Sequence, residues 1–130
     1  MSWTWLDTDV LGVNGLTSLA PTPFKVGDPL IRRPRQQGFG EVTWTHRRAT
    51  AFATIGGRGR MSDLEANYAS RVYTNPGYVS VALGGSFTVA PHVAVFGRVT
   101  NALNRSYEEV FGFPALGRTA SIGVRVAARR

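Results

Sequence analysis

Strict alternation of side-chain type over Gly77 to Val89 constrains this chain more than any other sequence feature. One parity is aliphatic or aromatic, and the other is small or polar. The first set is Val79, Val81, Leu83, Phe87 and Val89, and the second is Tyr78, Ser80, Ala82, Gly84, Ser86 and Thr88. Because successive side chains of a strand point to opposite faces, the segment predicts a β-strand with one apolar face.

The same alternation returns twice after this strand. Ala90-Pro91-His92 predicts a tight turn, because proline cannot donate to a strand ladder and belongs at a strand boundary. Alternation then resumes over 92–101, and after an aromatic loop at 102–116 it returns over 117–127. The aliphatic parity of these two strands is Val93, Val95, Val99, Ala120, Ile122, Val124 and Val126.

The composition of the polar parity separates two kinds of β-protein. A soluble barrel or sandwich shows charged residues to water, whereas this parity consists mainly of Ser, Thr, Gly and Ala with an occasional Arg. An aliphatic parity opposite a small polar one is typical of a transmembrane barrel, which is apolar towards lipid and polar towards its lumen. The sequence therefore favours an all-β, antiparallel up-and-down meander that is a segment of a transmembrane β-barrel.

Three further strands are predicted before Gly77, near 1–10, 36–46 and 49–60, which gives six in all. Trp3 and Trp5 share a parity, as in an interfacial aromatic girdle or, alternatively, in the core of a soluble protein. The alternation of 49–60 is weak and leaves its facing ambiguous. Short turns near Arg47 and Pro91 alternate with long loops at 11–35, 61–76 and 102–116, which suits periplasmic turns and extracellular loops.

Two segments of the sequence resemble a known protein family. Val99-Thr-Asn-Ala-Leu-Asn-Arg-Ser-Tyr107, followed by an aromatic loop and Gly117-Arg118, resembles the last hairpin of TonB-dependent outer-membrane receptors. Asp28-Pro-Leu-Ile-Arg-Arg-Pro-Arg35 is similar to a Pro-Leu-x-Arg-Arg segment of the cobalamin-transporter branch. Two features depart from the family: Ala102 stands where Leu is frequent, and the sequence runs Val126-Ala-Ala-Arg-Arg130 where the family ends on an aromatic residue.

The resemblance implies that residues 1–130 are a C-terminal part of such a receptor barrel, without the plug domain. The whole receptor would lie in the outer membrane of a Gram-negative bacterium and import cobalamin or a ferric siderophore. Its expected partners are outer-membrane lipid and lipopolysaccharide, the remainder of the barrel with its plug, and TonB through the missing N-terminal part. This chain alone is expected not to transport.

The resemblance also assigns candidate site residues. The outer loops would contact the ligand through Tyr73, Tyr107, Phe111 and Phe113. Arg98 and Arg125 fall on the lumen parity and Arg118 at the start of the last strand, where the three side chains would face the plug. The alternative for these arginines is that they only fill a wet lumen.

Other chemistry finds little support in the sequence. The formal charge of +7 suggests an anionic partner, which for an outer-membrane protein is lipopolysaccharide phosphate and not nucleic acid. His46 and His92 fall in separate turns without neighbouring acids, so no metal site is expected. No Gly-x-Ser-x-Gly elbow occurs and cysteine is absent. No enzyme activity and no cofactor are predicted.

Two alternatives remain open from the residues alone. One is a small soluble β-barrel or sandwich that binds a ligand or RNA; the arginine–glycine segment Gly56 to Arg60 is the feature that suggests RNA. The other is a non-functional remnant of a receptor gene.

Overall fold

Ten β-strands and no helix make up the part of the chain that the computed structural model describes, residues 1–12, 25–64 and 72–127. The strands are β1 (Ser2–Trp5), β2 (Gln36–His46), β3 (Ala49–Arg58), β4 (Met61–Leu64), β5 (Val72–Asn75), β6 (Tyr78–Ala90), β7 (Val93–Thr100), β8 (Glu108–Val110), β9 (Phe113–Pro114) and β10 (Thr119–Val126). The predicted all-β class is confirmed.

Six of these strands form one antiparallel sheet in the order β1-β2-β3-β6-β7-β10. Each strand pairs with the one before it in the meander, and every pairing is antiparallel. The predicted six-stranded up-and-down meander is therefore confirmed. The strand predicted over 1–10 is shorter than expected, because only Ser2–Trp5 pairs with β2.

Two of the predicted loops contain short ribbons of their own. β4 pairs with β5 inside 61–76, and β8 pairs with β9 inside 102–116. The sequence prediction of plain loops was wrong here, because these ribbons are held by contacts between distant segments and carry no long alternating pattern. Of the long loop predicted at 11–35, residues 13–24 lie outside the described residues. Its base is closed by the N–H groups of Val10 and Gly27, which donate to Asp28 O and Val10 O at 2.9 Å each.

The strands of the sheet end along two opposite sides, which we call the short-turn edge and the long-loop edge after the connections that each side carries. The short-turn edge carries the two-residue turns Arg47–Arg48 and Pro91–His92. The long-loop edge carries the connections 6–35, 59–77 and 101–118, and the last two contain the ribbons. Arg47 and His92 adopt positive φ angles of 49° and 69°, which lets each turn close within two residues.

Register assigns every strand residue to one of two faces. The aliphatic face runs unbroken across all six strands: Trp3, Trp5, Val42, Trp44, Ala51, Ala53, Ile55, Val79, Val81, Leu83, Phe87, Val93, Val95, Val99, Ala120, Ile122, Val124 and Val126. The facing of 49–60, which the sequence left ambiguous, is fixed by pairing: Ala53 lies between Val42 and Leu83, and Ile55 lies between Gly40 and Val81.

In the part of the chain that the structure describes, no hydrophobic core lies beneath the aliphatic face of the sheet. Among the described residues only Met61 and Ala82 are buried apolar side chains, and neither belongs to that face. Ile122 is 82% exposed and Val42 73% exposed. An exposed apolar surface of this extent is unusual for a monomer in water and is typical of protein–protein or membrane interaction sites.

The opposite face, which we call the polar face, is packed by aromatic rings over glycines. Phe52 lies against its cross-strand partner Gly84, where an added Cβ would come 2.5 Å from the ring, and Phe96 lies in the same way on Gly123. An aromatic ring over a paired glycine covers backbone that the glycine leaves bare. The remaining positions of this face carry mainly Ser, Thr and Gly.

Candidate functional site

A buried carboxylate, Asp63, joins three segments at the long-loop edge. Its side chain is fully buried. Oδ1 accepts hydrogen bonds from Arg32 Nε at 2.7 Å and from the backbone N–H of Leu64 at 2.8 Å. Oδ2 accepts from the backbone N–H of Phe111 at 2.8 Å. Arg32 also donates its backbone N–H to Ser62 O at 2.8 Å. One side chain therefore ties the 25–35 segment, the β4–β5 ribbon and the β8–β9 ribbon together.

The protonation of Asp63 follows from these partners. Burial by itself raises the pKa of the carboxyl, but the hydrogen bonds from Phe111, Arg32 and Leu64 and the positive charge of Arg32 outweigh it and lower the pKa below the ordinary 3.8. Asp63 is therefore ionised at neutral pH, and both of its oxygens accept hydrogen bonds. This is the arrangement of a structural carboxylate and not of a general acid or base.

Arg58, at the end of β3, makes a second connection between the loops. Its guanidinium donates to the carbonyl oxygens of Glu108 at 2.9 Å and Glu109 at 3.2 Å, and also to Gly59 O at 3.2 Å. The same group lies 5.1 Å from the centre of the Tyr78 ring. This role of Arg58 was not predicted from the sequence, where the residue stood out only as part of the arginine–glycine segment Gly56 to Arg60.

Of the four predicted ligand-contact aromatics, two stack on each other. The rings of Tyr73 and Phe111 lie 4.5 Å apart and 12° from parallel, joining the β4–β5 ribbon to the β8–β9 ribbon. Tyr107 stacks on Tyr78 at 3.9 Å. The structure thus brings Tyr73 and Phe111 together as a brace, and fastens Tyr107 to the start of β6.

Phe113, the fourth predicted aromatic, remains 66% exposed. Together with Tyr107 it lines an open groove of about 630 Å³ beneath the β8–β9 ribbon. The other lining residues include Ser80 and Thr100 from the polar face, Asn101, Glu109 and the apolar run Pro114 to Leu116. The groove combines hydroxyl, amide and carboxylate groups with an aromatic wall, which is the usual make-up of a small-molecule site.

Two asparagines of the family-like segment hold the loop that carries this groove. Asn101 is buried, with φ at 46°. Its Nδ2 donates to Arg105 O at 2.8 Å and Leu116 O at 3.1 Å, and its Oδ1 accepts from Arg105 N at 3.0 Å. Asn104 Oδ1 accepts from the backbone N–H of Arg118 at 2.9 Å. The motif therefore acts by pinning both ends of the 101–118 loop.

Of the three predicted lumen arginines, Arg98 and Arg125 lie on the polar face. The guanidinium of Arg98 lies 5.9 Å from the Phe52 ring centre, and that of Arg125 lies 5.8 Å from the Phe96 ring centre. Neither forms an ion pair with any residue that the structure describes. Arg118 immediately precedes β10 and is exposed, and its backbone N–H donates to Asn104 Oδ1. The structure does not bring the three arginines into one cluster.

One buried amide has no hydrogen-bond partner among the described residues. The side-chain nitrogen and oxygen of Asn75 are both buried and hydrogen-bond to no described residue. Asn75 faces Met61 across the β4–β5 ribbon. A buried amide of this kind is normally satisfied by an ordered water or a bound group.

The histidines stay apart. His46 stacks on Trp44 with ring centres 5.8 Å apart, and His92 occupies the Pro91–His92 turn. Within residues 1–12, 25–64 and 72–127, no three His, Asp or Glu side chains converge in a way that could hold a metal ion. No helix among these residues is long and apolar enough to span a bilayer.

Comparison with known proteins adds no family to this description. The sequence matches no model of a known protein family, and no curated protein is similar to it. What the chain does must therefore be argued from its two faces, its two edges and the groove.

Proposed function

We propose that this chain forms part of the barrel wall of a TonB-dependent outer-membrane receptor, the transporter class that imports cobalamin or ferric siderophores. The observation that carries the proposal is the aliphatic face, which is continuous over six strands and uncovered. Lipid would cover this face, and the polar face with Arg98 and Arg125 would line the lumen.

The spacing of the tryptophans supports the membrane part of the proposal. All three tryptophans of the sequence lie on the aliphatic face. Trp5 pairs with Gln36, and Trp44 lies eight residues further along β2. That separation is about 26 Å along a strand, or about 20 Å across a bilayer for a strand tilted by about 40°. The apolar band of an outer-membrane barrel is ~25 Å tall and is bordered by aromatic girdles on both sides.

The alternation of short and long connections indicates how the chain would be oriented in the membrane. Two-residue turns occupy one edge of the sheet, and the connections with braced ribbons occupy the other. Outer-membrane barrels have short periplasmic turns and longer extracellular loops. The long-loop edge would accordingly face the outside, and the groove lined by Tyr107 and Phe113 would lie at its mouth. In this proposal those two residues contact the ligand, whereas Tyr73 and Phe111 brace the loops.

The tryptophans provide the test of membrane insertion. The chain is diluted from urea into phosphatidylcholine vesicles whose acyl chains carry bromine, which quenches only those fluorophores that contact the hydrocarbon. We expect strong quenching by the brominated lipid and weak quenching by aqueous acrylamide. A chain that folds in buffer without lipid, and whose emission the brominated vesicles leave unchanged, would instead be a soluble β-protein.

Transport is a property that we propose for the complete receptor. Cells that produce only these 130 residues are expected to take up no labelled cobalamin or ferric siderophore above the background of a vector control. Energy-dependent uptake by such cells would contradict the proposed role as a portion of the wall.

A further inference from the structure

Both turns of the short-turn edge carry basic residues, which form a row along it. His46, Arg47 and Arg48 lie at the β2–β3 turn, and His92 lies at the β6–β7 turn. Backbone hydrogen bonds join each turn to the adjacent segment of the sheet. Thr88 N, in β6, donates to Arg48 O at 2.8 Å, and Ala127 N, just after β10, donates to His92 O at 2.9 Å. The row is therefore held in register along the edge of the sheet.

This row has no acidic counterpart within the described chain. Arg47 and Arg48 are exposed and form no ion pair with a described residue. Apart from Glu41 within β2, the described acidic residues belong to the segments of the long-loop edge, where Asp63 pairs with Arg32 and Asp7 with Arg35 at 3.0 Å. Among the described residues, charges of both signs mix at the long-loop edge, whereas the formally charged side chains of the short turns are Arg47 and Arg48. These two exposed charges are therefore open to an external anion.

An aromatic residue marks where that anion would lie. Trp44 is 56% exposed on the aliphatic face and stacks on His46, the last residue of β2. Tryptophan in membrane proteins concentrates at the level of the lipid headgroups. Arg47 and Arg48 follow three and four residues later, on the aqueous side of Trp44, which is where the phosphates of the same leaflet are found.

We propose that Arg47 and Arg48 bind the phosphates of anionic phospholipid headgroups in the leaflet next to the short turns. The guanidinium group suits this partner, because its planar set of N–H donors matches two phosphate oxygens at once. The inference rests on the proposed membrane barrel and adds to it a lipid preference located at one edge.

The test uses Trp44 as a local reporter. In the full chain, Trp3→Phe together with Trp5→Phe leaves Trp44 as the single tryptophan. Its quenching is compared in mixed vesicles that carry bromine on phosphatidylglycerol or, at the same content, on phosphatidylcholine. We expect the brominated phosphatidylglycerol to quench more strongly. Phosphatidylglycerol should be enriched around Trp44, relative to phosphatidylcholine, by about fivefold for each arginine near the surface. Added salt should reduce this enrichment.

Two double variants distinguish a local lipid site at Arg47 and Arg48 from an effect of the net charge of the chain. Arg47→Gln with Arg48→Gln should make the two brominated lipids quench Trp44 equally. Arg60→Gln with Arg105→Gln removes the same charge at the long-loop edge and should leave the preference for phosphatidylglycerol intact. Equal quenching in the parent chain, or loss of the preference in both double variants, overturns the lipid site alone. Absence of quenching by either lipid overturns the membrane proposal with it.

Discussion

At the scale of single residues, the loops of the long-loop edge depend on Asp63. Its carboxylate accepts hydrogen bonds from three segments without contact with water. In Asp63→Asn an amide group replaces one acceptor oxygen, so either Arg32 or Phe111 loses its partner. We expect the free energy of opening this cluster to fall by about 2 kcal/mol, measured by hydrogen exchange at the Phe111 and Arg32 amides. Glu109→Gln, an exposed acid of the same region, is the matched control and should change it by less than about 0.5 kcal/mol.

The pH dependence of the same cluster has a defined sign. The pKa of Asp63 in the folded protein is lowered from its ordinary 3.8, so the ionised form contributes stability. That contribution is complete above the ordinary value and is lost as the pH falls through the lower folded value. Protection of the Phe111 amide, corrected for the intrinsic exchange rate, should therefore decrease at strongly acidic pH in the parent chain and stay level in Asp63→Asn. A decrease of equal size in both proteins would assign the effect to other groups.

Asn101 combines a backbone requirement with a side-chain requirement, and two substitutions separate them. Asn101→Gly keeps the φ of 46° accessible but removes the hydrogen bonds to Arg105 and Leu116. Asn101→Ala removes the same hydrogen bonds and adds the cost of a left-handed conformation, about 1 kcal/mol. In urea unfolding from lipid vesicles, both variants should have a lower free energy of unfolding than the parent, and the alanine variant should have the lowest. Equal stabilities would mean that the conformation of residue 101 relaxes.

At the scale of strands, two paired glycines of the aliphatic face should respond in opposite ways to alanine. Gly85 and Gly97 face each other across β6 and β7. A Cβ on Gly85 would come 2.5 Å from the backbone oxygen of Thr50, whereas a Cβ on Gly97 would meet nothing closer than Ser121 O at 3.5 Å. We expect Gly85→Ala to destabilise the sheet by about 1–3 kcal/mol and Gly97→Ala to be neutral or stabilising by up to ~1 kcal/mol. The measurement is again urea unfolding from vesicles, and a reversed order would contradict the described β3–β6 pairing.

The strands also show what a sequence pattern can predict and what it cannot. The alternation predicted β6 within one residue, because its long apolar parity tolerates no slip of register. The predicted bounds of β2, residues 36–46, also agree with the structure, although its apolar parity holds only Val42 and Trp44 next to the short turn. The facing of β3 needed its neighbours, since Ala, Gly and Thr differ too little to mark a face. The β4–β5 and β8–β9 ribbons and the role of Arg58 were missed because they depend on contacts between residues far apart in sequence, such as Asp63 with Phe111.

At the scale of the whole molecule, the aliphatic face alone does not identify its covering phase. Lipid, a second sheet and a partner protein would each exclude water from it. Depth is the property that separates them, because a bilayer penalises a charge most at its midplane and little at its interfaces. A protein core has no such axis, and the cost of placing a charge in it follows the local burial of the residue.

Leu83 and Val79 form a matched pair for measuring this depth dependence. Both lie on the aliphatic face of β6, and their exposures are nearly equal at 47% and 49%. Leu83 lies near the middle of the strand, whereas Val79 lies at its long-loop end. If lipid covers the face, Leu83→Arg should lower the free energy of unfolding from vesicles by about 2–4 kcal/mol and Val79→Arg by about 0–1 kcal/mol. If a second sheet or a partner covers it, two sites of equal exposure should cost about the same. Equal losses would therefore exclude the membrane wall that we propose, whereas a loss confined to Leu83 would support it.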